Sequence, residues 1–94
     1  MKLNILGRSI KLHIEKNLKT TKDARGLYFE KEGMIFLDAD LKGEEFNQTL
    51  IHEMIHALIS RNGACNFLNE QAEEMFCDTI ATVIVDNFKL KLKE

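Results

Sequence analysis

The 94-residue sequence has no proline and no tryptophan, one tyrosine, two cysteines and three histidines. With no proline, no residue lacks the backbone donor that the interior of a helix requires, so long helices are open to most of the chain. The cysteines, Cys65 and Cys77, show no Cys-x-x-Cys spacing, which argues against a disulfide framework. Cys65 reads as a loop thiol and Cys77 as a small core residue. No apolar run approaches the roughly 18 residues that cross a bilayer, so no membrane partner is expected. The start, Met1 to Arg8, is too short in its apolar part for a signal peptide, and the expected location is the cytoplasm. Thirteen basic residues against 15 acidic ones give a formal charge of −2, with no broad basic surface. Nucleic acid is therefore not an expected partner. What the chain does have is 45% hydrophobic residues, enough for one compact domain over residues 1–94 and too few residues for two.

The most informative stretch runs from Thr49 to Ile59 and contains His52-Glu53-Met54-Ile55-His56. On a helix, residues four apart sit about 40° round and roughly 6 Å along the axis from each other. Both imidazoles can then reach one metal ion. Glu53, about 100° round from His52, is badly placed to share the ion and well placed to hold a water beside it. His-Glu-x-x-His is the zincin signature, and the flanking residues supply the helix it needs. Phe46, Leu50, Ile51, Met54, Ile55, Ala57 and Leu58 cover one half of that helix, while Glu45, Gln48, Thr49, His52, Glu53, His56 and Ser60 fill the other.

Before this helix, residues 2–6 and 9–16 straddle Gly7-Arg8 and suggest a hairpin. Ser9 to Glu15 alternates apolar and polar residues, which puts His13 on a wet face as an ordinary exposed strand histidine. Asn17 to Ala24 has nothing apolar after Leu18 and reads as a loop. Leu27 to Phe29, a Glu30 to Gly33 turn and Met34 to Leu37 form a second hairpin. The four apolar residues of its second strand imply cover on both faces, and that strand is a candidate wall of the cleft beside the helix. Asp40 is a plausible cap for the metal helix, which should run to about Arg61 and stop at Asn62-Gly63. A second helix, capped by Asn66 or Asn69, should reach about Asn87, with Phe88 to Glu94 as its fraying end. The expected class is α+β: two N-terminal hairpins in a small antiparallel or mixed sheet, packed on two C-terminal helices.

Two histidines leave a zinc ion half-coordinated, and a catalytic site takes a third protein ligand plus water. The second helix offers Glu70, Glu73, Glu74 and Asp78 within or beside an otherwise apolar arc. Carboxylates facing a core are costly unless paired or on a metal. Glu74 is the preferred third ligand and Glu73 its competitor, while a zinc thiolate at Cys77 is less favoured. Asp78, one turn beyond Glu74, is placed to accept the N–H of a ligand histidine, expected to be His52.

His52 to His56, followed by Glu74, Cys77, Asp78, Ile80 and Ala81, resembles the gluzincin pattern. At this length the chain looks most similar to the compact ImmA/IrrE-type metallopeptidases and to small phage or prophage proteins like them. Gln48 to Ile51 also looks like that family's lead into its zinc helix, and the resemblance covers about residues 26 to 88. It implies a minimal zincin-like fold with Zn2+ between the helices, and a metalloendopeptidase that cuts an internal bond of a protein or peptide substrate with Glu53 as general base. No residue matches the second lobe that supplies a transition-state donor in larger gluzincins; Tyr28 is chemically suitable, although a strand aromatic is more often core. The rival expectation is a non-catalytic zinc-containing binding protein of phage type that grips a partner.

Overall fold

The structure, a computed structural model, describes residues 2–63 and 67–88. Strands β1 (Lys2–Ile5) and β2 (Arg8–Glu15) form the first hairpin. Its two-residue turn places Leu6 at φ 52° and Gly7 at φ 78°, the twist that suits a tight right-handed hairpin. A short helix α1 (Leu18–Lys22) follows, where a loop was expected. A single apolar residue leaves no periodicity to read, yet Leu18 is buried and Asn17 O accepts the amides of both Thr20 and Thr21. Strands β3 (Gly26–Phe29) and β4 (Met34–Asp38) make the second hairpin. Gly33 at φ 62° closes its turn.

The four strands line up in the order β1-β2-β4-β3, with β2 and β4 parallel and the other pairs antiparallel. β4 is therefore an interior strand, and β3 is the edge that forms the cleft wall, correcting the expectation for Met34 to Leu37. The apolar run itself carries the reason. Ile35 and Leu37 are fully buried under the long helix that carries Phe46, Leu50 and Ala57, while Phe36 lies against Phe29 and His13 on the far face. Cover of that kind belongs to a strand with neighbours on both sides.

Helix α2 (Gly43–Asn62) packs on one face of this sheet, and α3 (Glu70–Asn87) packs on α2. Asp40 is not the α2 cap: its amide meets the Asp38 carboxylate at 3.4 Å, Leu41 N bonds back to Asp38 O, and this extra turn delays the helix to Gly43. At the far end Gly63, at φ 82°, provides the left-handed stop. Asn69 caps α3 by accepting from Ala72 N, satisfying one of the helix's free amides. The helix ends at Asn87 and Phe88 is extended; the fraying end expected for residues 89–94 and the loop thiol Cys65 fall outside the described residues.

α2 is buried on two sides. Phe46, Leu50 and Ala57 meet Ile10, Ile35 and Leu37 of the sheet, and Ile51, Ile55 and Ile59 meet Cys77 and Ala81 of α3. The simple half-and-half division read from the sequence does not hold, because a middle-layer helix has two dry faces. Between them lies the strip that carries the histidines.

Candidate metal centre and cleft

His52 and His56 leave α2 one turn apart and turn toward α3. Each is held from behind by a carboxylate of that helix. His52 Nδ1 lies 2.7 Å from Asp78 Oδ1, and His56 Nδ1 lies 2.5 Å from Glu73 Oε2. If each Nδ1–H donates to its carboxylate, both Nε2 atoms present lone pairs. Those atoms are 3.1 Å apart, and Glu74 brings its two oxygens to 3.3 Å from His52 Nε2 and 2.6 Å from His56 Nε2.

Three acceptors thus converge on one point, an arrangement that costs energy unless a cation or shared protons occupy it. The ligand atoms of His52, His56 and Glu74 all lie within 4.8 Å of one another. A tetrahedral ion with bonds near 2.1 Å would separate its ligands by about 3.4 Å. The donor set fits, and this group could hold a metal ion. Both imidazoles are mostly buried, with 15% and 16% side-chain exposure, whereas the Glu74 side chain is 54% exposed. One side of the site is open to solvent.

Glu53 does not join the three donors. It points toward the sheet and is only 7% exposed. The cause is Gly26, at the start of β3. A methyl group there would lie 2.9 Å from Thr49 Cγ2, 3.0 Å from Leu37 Cδ2 and 3.1 Å from Glu53 Cγ. Only a residue without a side chain lets the edge strand come down onto α2 at this place. Burial pushes the Glu53 carboxyl above its ordinary 4.5; His52 and His56 pull it back, and Glu74 and Asp78 push it further up.

Burial draws the His56 imidazole down, but its hydrogen bond to Glu73 and the charges of Glu53, Glu74 and Glu73 outweigh that, leaving it above its ordinary 6.5. Cys77 lies in the α2–α3 core with its thiol pushed up to about 12, first by burial and then by the surrounding carboxylates. It is the small core residue that the sequence suggested.

The donors line a cleft of about 720 Å³ walled by β3 on one side and α3 on the other, with α2 as its floor. Arg25, Glu45 and Gln48 lie toward one end, Tyr28, Glu30 and Ser60 toward the other. Gln48 reaches Thr82 at 3.0 Å and ties the two helices together. The Tyr28 ring packs on the core, and its buried hydroxyl has no hydrogen-bond partner among the described residues. His13 stays outside the site, paired with Glu15 on the far face of the sheet.

Of the residues singled out in the sequence, the structure brings His52, Glu53, His56, Glu74 and Asp78 together around one cleft. One role and one residue were missed. Glu73, considered as a competing ligand, instead backs His56; the signal was its position one residue before Glu74, which turns it to the other side of the metal pair. Gly26 carries no signal in the sequence, because no local pattern separates a glycine at the start of a hairpin from one pressed against a helix. No protein-family model matches the chain, and no curated protein or solved structure matches it significantly.

Proposed function

We propose that the chain is a zinc-dependent metallopeptidase of gluzincin-like type that hydrolyses an internal peptide bond of a protein substrate. In this reading His52, His56 and Glu74 hold the ion, Glu73 and Asp78 fix the rings, and Glu53 is the general base. The observation that carries it is a buried carboxylate beside, but outside, a nitrogen–nitrogen–oxygen donor set that faces an open cleft. A purely structural zinc is normally closed by four protein ligands and has no use for such a carboxylate.

When bound, zinc would supply Lewis acidity, polarising the substrate carbonyl and acidifying a water. Glu53 takes the proton of the attacking water on its carboxylate and delivers it to the leaving nitrogen. Its upward shift makes it a stronger base toward that proton than an ordinary carboxylate. The rings cannot swing because Asp78 and Glu73 hold their Nδ1 atoms, so the Nε2 donors keep their aim. An extended substrate is accommodated by the free edge of β3, whose backbone groups can pair with it. The Tyr28 hydroxyl, buried and lacking a partner among the described residues, suits a donor to charge developing on the carbonyl oxygen.

A second reading, a zinc-containing binding protein, draws on the exposed Met75, Phe76 and Val83 of α3, apolar surface of the sort that meets other proteins. One experiment separates the two. Zinc-loaded protein and its Glu53→Gln variant, matched for metal content, are incubated with unfolded casein and the products read by mass spectrometry. Internal cleavage by the parent alone supports the peptidase; equal products from both remove Glu53 from the mechanism, and none from either favours the binder.

A further inference from the structure

Beyond the Ser60 end of the cleft lies a second cavity of about 360 Å³, lined by Leu6, Arg8, Glu30, Ser60 and Arg61. Its walls come from the β1–β2 turn, the β3–β4 turn and the last turn of α2. Ser60 and Glu30 line both cavities, so the two adjoin.

Two buried polar atoms stand out here: among the described residues, Ser60 Oγ and Arg61 Nε have no hydrogen-bond partner. Among the described residues, no ion pair within 4.0 Å joins Arg8 or Arg61 to Glu30 or to any other carboxylate. A buried polar atom without a partner in a native fold asks for an explanation, and a ligand is one. The chemistry of the ligand follows from the donors. A guanidinium Nε can only donate, so whatever satisfies it must accept. Two guanidiniums face one carboxylate and the end of α2, which carries about half a negative charge. The surplus is roughly half a positive charge, enough for a single carboxylate and poorly suited to a dianion.

We propose that this cavity is a subsite for a carboxylate of the peptide held in the cleft, recognised by the guanidiniums of Arg8 and Arg61 and the hydroxyl of Ser60. That the ligand is a peptide rests on the peptidase reading; that it is a carboxylate rests on the donors alone. Ser60 lies one turn beyond His56, about 6 Å along α2, and an extended peptide advances about 3.3 Å per residue. The recognised group therefore falls about two residues from the bond at the metal. It is either the end of the chain or the side chain of an aspartate or glutamate.

The test uses zinc-loaded Glu53→Gln protein, so that no probe is consumed, and fluorescence anisotropy with N-labelled alanine hexapeptides. One probe has a free C-terminal carboxylate, one is its amide, and a third series carries the amide with a single glutamate moved along the chain. A carboxylate probe should bind about tenfold tighter than the plain amide, the worth of one charge-assisted hydrogen bond. The advantage should vanish in Arg61→Gln and in Arg8→Gln and grow in Glu30→Gln, with zinc affinity unchanged in all three. A free-terminus advantage identifies recognition of the chain end; a glutamate advantage at one position identifies a side chain.

Carboxylate probes that bind no tighter than the amide overturn the proposal, as does an advantage that survives both arginine changes. Arg8 is exposed at the first residue of β2, so its substitution gives an answer even where the α2 change disturbs folding. Failure of the peptidase reading shows separately, as absence of cleavage by the parent protein.

Discussion

Glu53 is dry because Gly26 has no side chain, and the two residues define one local device. Substituting Gly26 by alanine forces a methyl group to within about 3 Å of Thr49, Leu37 and Glu53, so β3 must lift or Glu53 must swing. We expect Gly26→Ala to cost about 1–3 kcal/mol of stability and, on the proposed peptidase reading, to lower turnover with zinc content retained. Thermal melts and metal analysis of the same sample check both halves. Glu53→Gln should leave zinc bound and reduce turnover by about 10²- to 10⁴-fold.

The upward shift of His56 has a signed consequence at this same scale. Metal binding requires the neutral ring, and a ring that holds its proton above 6.5 gives it up late. Affinity should therefore fall as pH drops through neutrality, by about tenfold per unit once His56 is protonated. In metal-free protein the sign reverses. Stability from the raised His56 is fully present below pH 6.5 and is lost as pH rises through its folded value; Glu53, raised above 4.5, acts in the same direction. Melting temperature of the chelated protein should be higher at pH 5.5 than at pH 8, and zinc should restore it at pH 8. A flat profile would show that these two groups are not perturbed as described.

At the scale of elements, α3 brings three carboxylates to the histidines: Glu73 and Asp78 each hold one ring at Nδ1, and Glu74 meets both Nε2 atoms. Glu74→Gln should remove most of the zinc affinity. Glu73→Gln and Asp78→Asn should each weaken it by about 10- to 100-fold without abolishing it, because each releases one ring. Zinc titration against a competing chelator ranks the three, and a larger loss for Glu73 than for Glu74 would exchange their roles.

The two long helices were legible because their periodicity, Gly63 and Asn69 act locally. The pairing of Asp78 with His52 could be read from spacing along α3, since both ends of that contact are fixed by helical turns. The edge position of β3 could not. Strand order is decided by which faces the helices must cover, and β2 and β4 have the buried Ile10, Ile35 and Leu37 that take the centre. Likewise α1 escaped notice because Leu18 is its lone apolar contact.

Across the whole molecule, α3 is joined to the rest chiefly through α2, by the Ile51–Ile55–Ile59 seam and by the donors on its cleft side. An ion shared between the helices would close that seam from the solvent side. Zinc should therefore stabilise by the binding linkage, about 4 kcal/mol at a thousandfold excess over the dissociation constant, and its loss should loosen α3 before the sheet. Hydrogen exchange with and without chelator checks this: protection lost uniformly, rather than first along α3, would contradict it.

Cys77 makes that loosening visible from within. Sealed under α2, its sulfur is a poor nucleophile while the helices stay shut, and an alkylating reagent can reach it only in the moments when they part. In a Cys65→Ser background the rate of labelling becomes a clock for the opening, ticking slowly with the ion in place and faster once it is stripped away.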